Sequence, residues 1–135
     1  MYKKYKPEFD YSYTLGFFPT IELLRHRPQD VIEIFMHSSV EDTEGAKEIY
    51  ELAGKHDIHI ALNDKQLARL SLKENVHAIA IFKKYTSTLD DEKNHLVLVN
   101  PADLGNLGTI LRTMLGFEML NLAMIRPAGD IFNPK

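Results

Sequence analysis

Four polar side chains, Asn106, Thr109, Arg112 and Thr113, recur within one stretch, residues 95–117, HLVLVNPADLGNLGTILRTMLGF. At 100° per residue on a helix they share one side, while Leu107, Ile110, Leu111, Met114 and Leu115 share the other. The apolar side can pack on a sheet, which leaves an amide, two hydroxyls and a guanidinium facing outward. Gly105 and Gly108 permit close backbone approach, and the N–H groups that open the helix can hold an anion. The same residues also suit a solvated helix face with a cap, because Asn caps well and Thr tolerates helix ends. A mononucleotide-binding pattern is absent: no Lys-Ser/Thr follows the glycines and there is no G-x-G-x-x-G.

The elements that must position these groups can be read on either side. Leu96 to Val99 is a short apolar run that reads as a strand. Asn100, Pro101, Asp103, Gly105, Asn106 and Gly108 read as a turn-rich loop. A helix is expected from Thr109 to Leu115, closed by Gly116. A second strand follows at about Leu120 to Ile125, broken by Arg126-Pro127. Strand, loop, helix and strand make one β-α-β unit, and ligands of open α/β sheets bind at the carboxyl ends of the strands. A parallel pair with one helix leaves a sheet face and edges uncovered. About forty residues is marginal for an independent core. Cover is expected from more chain, a partner subunit or the first domain.

The segment VNPADLGNLGTILRTMLGF resembles the first motif of the SpoU (TrmH-type) RNA 2′-O-ribose methyltransferases of the SPOUT superfamily. That motif runs Asp-Pro, a spacer, then Gly-Asn-x-Gly-Thr-x-x-Arg-Thr, and GNLGTILRT matches it without a gap. LNLAMIRPAGDIFNPK is similar to the family's next strand and loop. The resemblance covers residues 95–135 directly, and residues 1–85 more weakly as a small N-terminal RNA-binding domain. It implies a catalytic pair, with Asn106 orienting the loop and the ribose and Arg112 at the reacting hydroxyl. The family assigns the arginine as base. A guanidinium keeps its proton up to a pKa above about 12, so a clamp on the RNA phosphate that stabilises developing oxyanion charge suits Arg112 better. Gly105, Gly108 and Thr109 would lie against the RNA. The resemblance also implies S-adenosylmethionine as methyl donor, rRNA or tRNA as substrate, and a homodimer.

The match is not uniform. Asn100 stands at the family's first acidic position, Asp103 at an Asn, Leu104 at a Pro and Met114 at a small residue. The second and third motifs, which form the knotted cofactor site, lie downstream in the family and do not occur before Lys135. The chain alone is therefore expected to bind the cofactor weakly. The rival reading is a non-catalytic RNA-binding relative, shortened and without the knot.

Bulk properties bound the remainder. The 135 residues are 44% hydrophobic and 26% charged, ordinary values for a soluble globular protein. No run is long enough to span a membrane, and the N-terminus lacks the apolar segment of a secretory signal. Without cysteine there is no disulfide or thiolate metal site, which fits a cytoplasmic protein. His56 and His59 lack the partners of a zinc site, so no metal is expected. The net charge of −3 confines any RNA surface to local patches. Candidates are Lys3, Lys4 and Lys6, Arg25 with His26 and Arg27, and Lys83 with Lys84.

Residues 1–14 read as an irregular arm of tyrosines and lysines, which either stacks on bases or lays its rings on the domain. Thr20 is expected to cap a helix from Ile21 to His26 that Pro28 stops. A strand follows at Val31 to Met36. A helix then opens at Asp42 or Thr43 and runs to Ala53, with Gly54 as its cap. A strand is expected at Ile58 to Leu62, a short helix opened by Asn63-Asp64, and a strand at Val76 to Phe82. This alternation predicts a three-layer α/β/α domain. The expected organisation is thus an α/β chain: an RNA-binding-like domain (1–85), a linker (86–94) and the first β-α-β unit of an α/β-knot methyltransferase domain (95–135).

Overall fold

The computed structural model describes residues 1–71 and 73–134. Lys135, the last residue of the expected second domain, lies outside them. The chain divides after Tyr85 into two compact units. Thr86 to Ile131 form the second, and Phe132, Asn133 and Pro134 return to the first.

The first unit is built on two apolar runs, VIEIFM and AIAIFK. Both are too apolar for an edge, and both become central strands. These are β2 (Val31–Met36) and β4 (Ala78–Lys83), paired antiparallel. β3 (Ile60–Leu62) adds in parallel to β2, and β1 (Tyr11–Tyr13) adds antiparallel to β4, for a sheet order β1-β4-β2-β3. Side chains alternate across the sheet. Ile34, Met36, Ala78 and Ala80 meet Ile21 and Leu24 of α1 (Phe17–His26) and Ile49 and Ala53 of α2 (Glu44–Lys55). Phe35, Ile79 and Ile81 meet Tyr13 and, from α3 (Asp64–Leu70), Leu67 and Leu70. The result is the three-layer α/β/α arrangement that the alternation predicts.

Several local expectations need correction. The tyrosine arm is not wholly irregular, since Tyr11–Tyr13 pairs with β4. A three-residue strand exists only through its partner, so its own sequence carries little signal. The rings lie on the domain: Tyr2 packs edge-on to Tyr11 at 5.5 Å and to Phe35 at 6.0 Å. Thr20 is no cap. The helix starts four residues earlier, where Gly16 turns the chain with φ +113° and Pro19 is tolerated in the first turn. Thr20 is buried, its hydroxyl 2.8 Å from the Gly16 carbonyl oxygen and 2.7 Å from Thr14 Oγ1. Thr43 does cap α2, accepting from the Ala46 N–H at 3.3 Å. Gly54 lies inside that helix, and Asp57 takes the left-handed conformation after it, as Asp tolerates. Asn63 caps α3 through the Gln66 N–H at 3.0 Å.

In the second unit, β5 (Leu96–Val99) and β6 (Leu122–Ile125) pair in parallel, Leu96 opposite Leu122 and Val99 opposite Ile125. Between them runs α4 (Leu104–Gly116). Leu107 and Met114 are buried, while Leu111 and Leu115 of the same apolar side stay exposed. Val97, Val99 and Ile125 are exposed on the strands. Residues 86–94, expected as a linker, group with this unit. The Asp90 N–H donates to Oδ1 of the buried Asn121 at 2.8 Å.

Candidate active-site helix and candidate RNA-binding cations

α4 begins five residues before the sequence-based boundary. Asp103 is its cap, with Oδ1 accepting from the Asn106 N–H at 2.6 Å. Only Asn100 to Asp103 remain as loop. Gly105, Asn106 and Gly108, read as turn residues, lie in the first two turns, and Thr109 is interior. A good cap and the packing of Leu107 outweigh the helix cost of two glycines. The Thr109 hydroxyl donates to the Gly105 carbonyl at 3.1 Å, and Thr113 to that of Thr109 at 3.0 Å. Both threonines therefore bond the helix backbone instead of capping it.

The polar side of α4 is exposed as its spacing requires. Arg112 folds back along the helix, Nη2 donating to Thr109 Oγ1 at 3.3 Å. Gly108 gives it room, for a Cβ there would lie 3.6 Å from Arg112 Nη1. Among the described residues Arg112 has no carboxylate partner and the Asn106 carboxamide no hydrogen bond, so both heads are open to a ligand. The two do not touch: six residues separate them by about 9 Å along the axis. Together they offer a planar cation and an amide along one edge, suited to a phosphate and a hydroxyl of a polyanion.

The loop before α4 is held from behind. The Asn100 N–H donates to the Ile125 carbonyl at 3.0 Å, and the Gly129 N–H to that of Pro101 at 2.6 Å. A Cβ on Gly129 would lie 2.9 Å from Leu104 Cδ2 and 3.2 Å and 3.3 Å from the Pro101 and Ala102 carbonyl oxygens. The glycine beyond β6 thus packs on protein instead of cradling a ligand. Gly129 therefore offers S-adenosylmethionine no cradle among the described residues.

Four of the cations proposed in the first unit, Arg25, Arg27, Lys83 and Lys84, differ in what they meet. Arg25 is consumed: it pairs with Glu48 and, at 3.0 Å, with Glu22, and these carboxylates, Glu48 foremost, push its pKa up. Glu48 lies 23 residues away in sequence, so the pairing was invisible there. Arg27 donates through Nε to Asp30 and lies flat on Tyr85, its Cζ 3.7 Å from the ring centroid. Lys84 donates to the Pro7 carbonyl at 2.8 Å. Lys83 is exposed, without an ion pair among the described residues.

One cluster was not anticipated. Beyond the carboxyl ends of the parallel strands β2 and β3, the Asp64 carboxylate accepts from the Ser38 N–H at 2.9 Å and from its hydroxyl at 2.8 Å. These bonds lower the Asp64 pKa. His37, Asp64 and His77 line a recess of about 630 Å³. The available signal was position, since His37 and Asp64 each follow closely on an apolar strand. Among the described residues no three His, Asp or Glu side chains are grouped to hold a metal.

The fold defined here is that of the N-terminal portion of SpoU/TrmH RNA methyltransferases. No family model and no curated protein matches the sequence, but solved structures do match its fold. The SpoU methyltransferase AviRb from Streptomyces viridochromogenes, solved with AdoMet, is similar with a TM-score of 0.74 at 16% identity, over 93% of this chain and 49% of its own. An rRNA methyltransferase from Sinorhizobium meliloti gives 0.69 at 15%, over 93% and 48%. An assigned TrmH-family RNA methyltransferase from Porphyromonas gingivalis gives 0.68 at 17%, over 93% and 47%. The chain spans about half the length of these proteins, and at such identities the likeness is one of fold. No helix among the described residues is long and apolar enough to cross a membrane.

Proposed function

We propose that this chain is the N-terminal part of an RNA 2′-O-ribose methyltransferase that uses S-adenosylmethionine and acts on rRNA or tRNA in the cytoplasm as a homodimer. Residues 1–85 recruit the RNA, and the β-α-β unit after them contributes the catalytic edge. The observation that carries the reading is α4, whose exposed side holds Asn106 and an acid-free Arg112 on a helix fed by a parallel strand. Arg112 clamps a phosphate next to the target ribose and stabilises negative charge on the hydroxyl oxygen as its proton passes to water. Asn106 hydrogen-bonds the ribose side and fixes its orientation. Gly105, Gly108 and Thr109 let the RNA backbone approach the helix. When bound, the cofactor would supply the methyl group.

The test is transfer of labelled methyl from S-adenosylmethionine to rRNA or tRNA by the complete polypeptide, with the product resistant to alkali at one ribose. Arg112→Lys should lower kcat by about a hundredfold, the scale of losing an oxyanion-stabilising donor. Near-full activity in that variant overturns the planar-clamp role. A complete polypeptide that binds RNA but transfers no methyl favours the shortened, non-catalytic relative.

A further inference from the structure

Resting on the RNA reading above, we propose that the first unit carries a site for unstacked bases of single-stranded RNA, built on the Arg27–Tyr85 stack and flanked by Lys84. The antiparallel pairing of β2 with β4 sets Val31 opposite Phe82. The end of α1 and the end of β4 therefore meet at one corner of the sheet. There the Arg27 guanidinium is fixed twice, by Asp30 at Nε and by the Tyr85 ring beneath it at 3.7 Å. Its two Nη groups remain unspent among the described residues. An arginine held flat has already lost the side-chain freedom that binding would otherwise remove. It presents a planar face for a base and free N–H groups for a phosphate.

The surroundings extend this platform. Tyr85 stands edge-on to Phe132 at 5.3 Å, and Lys84 Nζ lies 4.8 Å over the Tyr5 ring. The carbonyl that Lys84 bonds leaves its charge uncompensated. Arg27 and Lys84 are the cations of this corner, and Asp30 is the carboxylate that meets Arg27. Arg25 makes the contrast: it is more exposed than Arg27, but both its Nη groups face carboxylates. Cations interleaved with rings are the pattern of single-strand recognition, because duplex bases hide their faces.

The test uses the whole 135-residue chain and fluorescence anisotropy with two labelled probes, an oligoadenylate and an RNA duplex of equal length. The single strand should bind about tenfold more tightly. Arg27→Lys, which keeps charge and removes the plane, should weaken the strand about tenfold and the duplex by about twofold or less. Tyr85→Leu should do the same, with circular dichroism to verify its fold. If it unfolds, Arg27→Lys decides alone. Lys84→Ala should weaken both probes and reduce the salt dependence by about one ion. Equal affinity for both probes, or a strand affinity indifferent to Arg27→Lys, overturns the site while leaving the RNA reading intact. Failure of the folded chain to bind either probe overturns both.

Discussion

The sheet of the first unit is covered on both faces, whereas that of the second is covered on one. β2 and β4 bury Ile34, Ile79 and Ile81 completely between helical layers. β5 and β6 share a single helix, and Val99 remains 72% exposed and Leu115 68%. The candidate catalytic groups sit on the uncovered unit and the candidate recruiting surface on the covered one. The difference teaches that a sequence segment can carry a candidate functional edge, here Asn106 to Thr113, on a unit whose sheet lacks apolar cover on one face.

The comparison can be broken by mutation. Ile79→Ala should destabilise the first unit by about 3 kcal/mol, from lost burial and the cavity left behind. Val99→Ser should change stability by about 0.5 kcal/mol or less. Denaturant melts of the two variants decide it, and equal costs mean that the Val99 face is covered. A smaller effect is expected where the second unit is tight. Gly129→Ala should cost about 1–3 kcal/mol through overpacking against Leu104 and two carbonyls. Gly54→Ala, with open space around its Cβ, should stabilise by about 0.5–1 kcal/mol. Thermal melts should move in opposite directions. Asp103→Ala should cost about 1 kcal/mol of α4 stability, read as faster amide exchange at Asn106 with exchange at Ile79 unchanged.

The smallest effect is electrostatic. Asp64 has a lowered pKa in the folded chain because Ser38 donates twice to its carboxylate. Its contribution is therefore fully present above the ordinary carboxylate range and lost as pH falls through the depressed folded value. Asp64→Asn should flatten the acid limb of the first unit's stability curve. An unchanged acid limb contradicts the role given to the Ser38 bonds.

What was legible in the sequence depended on how local its cause is. Val31–Met36 and Leu96–Val99 were readable to the residue, because an apolar run between turn residues needs no partner to be recognised. The polar edge of α4 was readable because helical angle alone groups Asn106, Thr109 and Arg112. Its starting point was not. Gly105, Asn106 and Gly108 favour turns locally, and the Asp103 cap together with core packing overrides them. Long-range pairing hid the remainder. Tyr11–Tyr13 is a strand only because β4 lies beside it, Arg25 is spent only because α2 brings Glu48 to it, and Ser38 meets Asp64 only across the β2–β3 pair.

Hydrogen exchange of the full chain tests the contrast between the units most directly. The account predicts slow exchange at the level of global unfolding for amides of β2 and β4, Ile79 to Ile81 among them. Amides of β5, β6 and α4 should exchange on the order of a hundredfold faster, through opening of a unit covered on one face. A single protection level across both units would contradict the claim that the first is a finished domain and the second an open one.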